Sequence, residues 1–167
     1  MEGAFRFSDD FGPARIISIY QPSLALKAIL VVDNTACGAA IGGVRMAPDV
    51  SVEECFRLAR AMTWKNAAAG LPHGGGKSVI FGDPRMAAAA KEQLIRAFAG
   101  AIGDISDYIA GPDMGTDERC MAWIKEETGG RSVYPAWLEA FRSTRLAQPG
   151  LASPLVSMSR ANLSAST

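Results

Sequence analysis

The chain has 167 residues and a formal net charge of zero, and 49% of its residues are hydrophobic. This length suits one ordinary domain with a tail, and the apolar content is sufficient for a core. The balanced charge argues against a nucleic-acid or anionic-membrane partner, and no apolar run reaches the ~20 residues that a membrane-spanning helix needs.

Compartment and metal content are constrained by a few residue types. The N-terminal stretch MEGAFRFSDD has no basic segment followed by an apolar one, so we expect no secretory signal. Cys37, Cys55 and Cys120 lack metal-ligand spacing, and we expect them to be small buried residues in a reducing compartment. The single histidine, His73, argues against a histidine-rich metal site or a Ser-His-Asp triad. We therefore predict a cytoplasmic protein without a metal site.

Three strands are predicted in the first part of the chain. Residues 16–20 favour a short strand, and residues 24–32 are apolar and β-branched toward their end. Residues 39–46 form the third strand, which we expect to pair with 24–32 as a hairpin. Gly42 and Gly43 interrupt it, and glycine within a strand indicates either a bulge or a place where a ligand comes close.

A helix is predicted from Ser51, which forms an S-x-x-E capping box with Glu54, to about Asn66. Lys65 lies in its last turn. The helix dipole favours a cation there without any further role, so a structural and a functional interpretation of Lys65 both stand.

Two more helices follow. Asp83 and Pro84 predict the start of one that continues to about Ile102, and Thr116 predicts the start of another that ends near Glu127. Between them lie a short strand at residues 107–110 and the loop GPDMGTDE. Asp113 in this loop is either a turn residue or one of the functional groups that open α/β sheets place after a strand.

The stretch LPHGGGKSVIFGDP, residues 71–84, combines three glycines with a lysine. We expect a glycine loop and then a strand over 77–81. Such a loop is either a flexible turn or a place where main chain meets a ligand, and Lys77 is either solvated or a desolvated base. A phosphate-binding P-loop is excluded because Leu71 replaces its first glycine and a helix, not a strand, precedes it. No G-x-G-x-x-G dinucleotide fingerprint is present.

Four segments together resemble the Glu/Leu/Phe/Val dehydrogenase family. They are IGGVRM, the run from SVEECF to FGDP, AGPDMGTDE and EETGGR, in one collinear order over about residues 24–131. The resemblance implies an α/β fold in which a mixed sheet is flanked by helices. It also implies that residues 1–131 form a substrate-binding and oligomerisation domain, so we expect a homo-oligomer.

The resemblance further implies oxidative deamination of an amino acid to a 2-oxo acid with NAD or NADP. Lys77 matches the catalytic lysine that activates water, and Asp113 the aspartate that handles protons at the amine. Lys65 matches the lysine that pairs with the substrate α-carboxylate, and its charge would also depress the pKa of Lys77. Gly43 matches a glycine that lies against the substrate, and Met62 is expected to line the pocket.

Ile41 departs from the pattern of glutamate-specific members, which carry a lysine just before the two glycines. An apolar side chain cannot compensate a buried carboxylate, which would cost several kcal/mol if left unpaired. We therefore expect an apolar amino acid as substrate.

From about residue 132 the sequence shows no sustained period, and we expect residues 132–167 to be a poorly ordered tail. Nothing in the chain matches the family's Rossmann-type cofactor domain, so catalysis by this chain alone is doubtful. A non-catalytic remnant that self-associates or binds a small amino acid is the alternative.

DNA that encodes residues 139–149 (EAFRSTRLAQP) can read GIPLDEIGATG in another frame, which looks like the family's continuation. We hypothesise a one-base frameshift between about Arg131 and Glu139.

Overall fold

The computed structural model describes residues 5–133. They form a mixed five-stranded sheet with three α-helices, which confirms the α/β fold expected from the sequence. In chain order the elements are β1 (Arg15–Gln21), β2 (Leu26–Asn34), β3 (Ala40–Ala47), α1 (Val52–Ala68), β4 (Gly74–Phe81), α2 (Ala88–Ile102), β5 (Tyr108–Pro112) and α3 (Glu118–Thr128).

The strands are arranged in the order β1-β2-β4-β3-β5. β2 pairs antiparallel with both β1 and β4, whereas β3 is parallel to β4 and β5. The predicted hairpin between 24–32 and 39–46 is therefore wrong, because β4 lies between these strands. β4 is almost entirely buried, as expected for a strand in the middle of a sheet. The connection from β3 to β4 is a crossover through α1, which parallel strands require.

The three glycines before Lys77 belong to strand β4 and not to a loop. Their role is close packing. A Cβ on Gly75 would collide with the backbone and side chain of Thr63 in α1. The side-chain amide of Asn66, also in α1, donates to the Gly74 carbonyl at 2.6 Å. Small residues in β4 thus allow the last turns of α1 to lie directly against the strand.

The start of α1 is as predicted, but its capping box is only half formed. The Ser51 hydroxyl accepts from the Glu54 backbone N–H at 3.0 Å. The Glu54 carboxylate pairs instead with Arg45 of β3. The predicted start of α2 is wrong, because Asp83 accepts from the Arg85 N–H in a turn and the helix begins at Ala88.

Thr116 is not the cap of α3 either. Asp117 takes that position, and its carboxylate accepts from the Cys120 N–H at 3.0 Å. The Thr116 hydroxyl donates to the Val44 carbonyl at 2.6 Å and accepts from the Asp113 N–H at 3.0 Å. Thr116 therefore fastens the turn that carries Asp113 to strand β3.

Helices α1 and α2 lie on opposite faces of the sheet. The chain moves one way across the sheet from β3 to β4 and the other way from β4 to β5, so right-handed crossovers place α1 and α2 on opposite faces. Beneath α1 is a core of buried side chains: Val31, Val50, Cys55, Phe56, Ala59 and Val79. Cys55 and Cys120 are buried as expected, but Cys37 is exposed. No helix within residues 5–133 has the length and apolar character to cross a membrane.

The segment before β1 runs alongside α1 and contacts it at successive turns. The four contacts are Arg6 with Glu53, Phe7 with Phe56, Asp9 with Arg60 and Phe11 with Trp64. Arg60 also donates to the buried Asp33 of β2. At the other end, Val133 forms a parallel bridge with Ala110. The rest of the predicted tail lies outside the described residues.

Candidate functional site

Strand alternation brings three of the sequence-predicted site residues to one face of the sheet. Val44 of β3 pairs with Ser78 of β4, so Gly43 and Lys77 lie side by side, one residue earlier on each strand. Gly43 also pairs with Gly111 of β5, and Asp113 follows two residues later. Because side chains two residues apart point the same way, Gly43, Lys77 and Asp113 share the face on which α1 lies.

Lys77 and Asp113 form a direct ion pair across β3. The Lys77 Nζ contacts the Asp113 Oδ2, and the lysine side chain is 6% exposed. Gly43 lies beneath the pair. A Cβ at this position would come within 2.7 Å of the Asp113 Cβ and 3.2 Å of the Lys77 Nζ. The absent side chain of Gly43 therefore makes the contact between lysine and aspartate possible.

Arg45, for which the sequence predicted no role, joins this pair. Its Nε lies 3.0 Å from the Asp113 Oδ2, the same oxygen that Lys77 contacts. Its Nη1 pairs with the Glu54 carboxylate at the start of α1. The signal was in the sequence, because Arg45 stands two residues after Gly43 on the same strand and so points to the same face.

Burial and neighbouring charge change the protonation of both groups. Burial lowers the pKa of Lys77 below its usual value, and the Arg45 charge lowers it further, while Asp113 acts in the opposite direction. Burial alone would raise the pKa of Asp113, but Lys77 and Arg45 together hold it below its usual value. The cation that depresses the Lys77 pKa is thus Arg45, where Lys65 had been expected.

A family model describes the Glu/Leu/Phe/Val dehydrogenase dimerisation domain, and it matches residues 20–129. The chain belongs to the Glu/Leu/Phe/Val dehydrogenase family. A leucine dehydrogenase from Bacillus subtilis is 39% identical over 129 residues, which are 74% of this chain and 35% of that protein. The chain thus spans about a third of the length of this curated relative.

Solved structures of family members have the same fold. The L-tryptophan dehydrogenase from Nostoc punctiforme is 30% identical with a TM-score of 0.65, covering 76% of this chain and 38% of that one. The hetero-hexameric glutamate dehydrogenase from Thermus thermophilus, in a Leu-bound form, is 32% identical with a TM-score of 0.67 and covers 72% and 32%.

Lys65, which the family resemblance links to the substrate carboxylate, lies apart from the ion pair. It is exposed, and within residues 5–133 its side chain has no hydrogen bond or ion pair. Lys65 follows Glu54 by eleven residues, about three helical turns, so the two lie on nearly the same side of α1. Since Glu54 faces Arg45, Lys65 lies on the side of α1 that faces this charged cluster, about 16 Å from Glu54 along the helix axis.

Two predicted apolar contacts border the same face. Met62, one turn before Lys65, is half-buried. Ile41 is 8% exposed and points to the side of β3 that carries Gly43 and Arg45. On this face, Gly43 lies beneath the charged cluster of Lys77, Asp113 and Arg45, and the apolar Ile41 lies two residues before Gly43 on the same strand.

Neither Gly74 nor Gly75 fits the pyrophosphate of a dinucleotide cofactor. Its pyrophosphate needs free space beside glycines, but the space beside Gly74 is filled by the Asn34 carbonyl and that beside Gly75 by Thr63. Within residues 5–133, no group of three or more metal-ligating side chains comes together.

Proposed function

We propose that residues 5–133 form the amino-acid side of an amino-acid dehydrogenase site, which converts an apolar L-amino acid to its 2-oxo acid and ammonia. The observation that carries this proposal is the buried Lys77–Asp113 pair over Gly43, in a chain that belongs to this family. The reaction needs a hydride acceptor, for which the family resemblance implies NAD or NADP. The residues named below act on protons and charge only.

Each charged residue has a chemical task in this proposal. The ammonium of Lys65 pairs with the substrate α-carboxylate at the edge of the site. Asp113, which stays ionised because of Lys77 and Arg45, takes a proton from the substrate amine. Lys77, whose pKa burial lowers below its usual value, takes a proton from the water that attacks the imino acid. Met62 borders the substrate opposite Gly43.

The apolar substrate class rests on Ile41. A carboxylate at the end of the substrate would lie against this buried isoleucine without a cation, at a cost of several kcal/mol. The leucine and tryptophan dehydrogenases among the similar proteins support the same class by name.

We also propose that the chain forms a homo-oligomer. The matching family model is described as a dimerisation domain. The outer edge of β1 is a candidate contact, because within residues 5–133 it has no strand beside it and its Tyr20 is 66% exposed. Sedimentation analysis of the purified chain tests this, and a monomer at high micromolar concentration would refute it.

The alternative, a non-catalytic remnant that binds a small amino acid, is supported by the packing around Gly74 and Gly75, which leaves no room for a pyrophosphate beside these two glycines. One experiment separates the two. The purified chain is mixed with NAD or NADP and leucine, and reduced cofactor is followed by absorbance while thermal unfolding is recorded in parallel. Reduced cofactor supports the dehydrogenase, whereas stabilisation by leucine without reduction supports the binding remnant.

Two variants give this experiment its control. K77M removes the proposed base, and K125M removes an exposed lysine on α3. Reduction of the cofactor and stabilisation by leucine should both be lost or strongly weakened in K77M and retained in K125M. If leucine neither stabilises the chain nor reduces the cofactor, the proposed site is wrong.

A further inference from the structure

Arg45 has an unusual position in the site. Its side chain is 17% exposed and reaches two carboxylates on different elements, Glu54 on α1 and Asp113 after β5. It therefore connects three parts of the fold at the point where they surround Lys77. A residue that only joined β3 to α1 would need Glu54 alone.

Arg45 also affects Lys77, because the two side chains contact the same oxygen. Lys77 and Arg45 both contact the Asp113 Oδ2, so one carboxylate oxygen serves two cations. A lysine with a carboxylate of its own would hold its proton tightly. A guanidinium that cannot lose its charge, competing for the same oxygen, weakens that hold.

We propose that Arg45 is a positioning residue for the acid–base pair: anchored by Glu54, it holds the Asp113 carboxylate in place and keeps a permanent positive charge beside Lys77, which favours the neutral amine of the lysine. The catalytic meaning of this arrangement rests on the proposed function. The effect on Lys77 itself does not, and it can be measured without substrate.

The other charged and titratable groups around Lys77 are few. Asp113 comes from the turn after β5, Glu54, Cys55 and Lys65 from α1, and Asp33 from the neighbouring strand β2. Burial raises the pKa of the Cys55 thiol to about 12, so it stays neutral at the pH of interest. Asp33 is occupied by Arg60 and Thr63. Arg45 is therefore the cation whose removal should change the pKa of Lys77 most.

The test is the pH dependence of Lys77 reactivity in the full chain. The chain is reductively methylated with formaldehyde and cyanoborohydride over a pH series, and methylation of the Lys77 peptide is quantified by mass spectrometry. In R45M the rate at about pH 8 should fall roughly three- to tenfold, because the neutral amine becomes rarer. R45K keeps the charge and should restore the wild-type rate to within about twofold. The exposed Arg85 provides the matched control, R85M, which should leave the rate unchanged.

An unchanged Lys77 profile in folded R45M would overturn the proposal. If R45M does not fold, R45Q takes its place, since its amide can still donate to Asp113. If neither folds, R45K decides the matter, and a several-fold loss of reactivity there would contradict the proposed role of the charge. Failure of leucine to bind the wild-type chain would refute the proposed function while leaving these rates interpretable.

Discussion

Gly43 and Asp113 lie so close together that no residue larger than glycine fits at position 43. A Cβ on Gly43 would come within 2.7 Å of the Asp113 Cβ, although Gly43 belongs to β3 and Asp113 to the turn after β5. This closeness places the carboxylate directly above the strand and within reach of Lys77 on the other side. The site depends on the missing side chain as much as on the charged ones.

Alanine at position 43 should therefore damage the site. In G43A the added methyl group must displace Asp113, Lys77 or both, at a cost of about 1–3 kcal/mol in the free energy of unfolding. The control is G100A on α2, where a Cβ would meet nothing within 4 Å. G100A should stabilise the chain by about 0.5–1 kcal/mol. Urea unfolding measures both, and a stable G43A with normal leucine binding would contradict this account.

Tyr108 should be important for stability, because its buried hydroxyl connects two strands. It donates to the Gly42 carbonyl and accepts from Ser78, each at 2.9 Å. Y108F leaves these partners unsatisfied and should cost about 1–3 kcal/mol of unfolding free energy. Phenylalanine at the exposed Tyr20 should change it by less than about 0.5 kcal/mol.

A double-mutant cycle isolates the Tyr108–Ser78 interaction. S78A should be clearly less damaging in the Y108F background than in the wild type, because the hydroxyl it bonds is already gone. Equal effects in both backgrounds would show that the two hydroxyls do not interact.

The N-terminal segment should detach from α1 in acid. Arg60 is the main cause that lowers the pKa of Asp9 from 3.8 to about 2. Since the carboxyl pKa is depressed in the folded state, its stabilising effect is complete above pH 3.8 and is lost as the pH falls toward about 2. The difference in unfolding free energy between wild type and D9N should shrink over this window. In an R60M background this dependence should be much weaker but not absent, because the backbone N–H groups of Phe11 and Gly12 also lower the Asp9 pKa, and an undiminished dependence would exclude Arg60 as the main cause.

The frameshift hypothesis makes a prediction about DNA. The family model's match ends at residue 129, close to the point where the sequence stops resembling the family. If the hypothesis is right, the gene read in another frame from about codon 139 encodes GIPLDEIGATG and then a dinucleotide-binding region. Sequencing the gene through and beyond this segment tests it, and stop codons in every alternative frame would refute it.

The sequence was informative where local chemistry determines the structure. The Ser51 cap and the amphipathic α1 followed from short patterns, whereas the α/β class and the meeting of Gly43 with Lys77 followed from the family resemblance. Local patterns failed where a distant strand decides. The β2–β3 hairpin looked plausible until β4 paired between the two strands, a contact set by burial of β4 and not by any turn.

The errors at single residues have the same origin. Thr116 has the side chain of a helix cap, but a carbonyl of β3 competes for its hydroxyl, so Asp117 takes the cap. Glu54 has the side chain of a capping box, but Arg45 offers a stronger, charged partner. Arg45 itself was overlooked because its role arises only when β3, α1 and the turn after β5 meet.

The proposed function predicts that this site holds an apolar 2-oxo acid through Lys65, beside the Lys77–Asp113 pair. Isothermal titration of the chain with 4-methyl-2-oxopentanoate tests it most directly, with 2-oxoglutarate as the competing ligand and two lysine variants. Binding should be retained in K27M, which changes an exposed lysine on β2, and weakened at least about tenfold in K65M, because the carboxylate loses its cation. The same affinity in K65M as in wild type, or tighter binding of 2-oxoglutarate, would contradict the account.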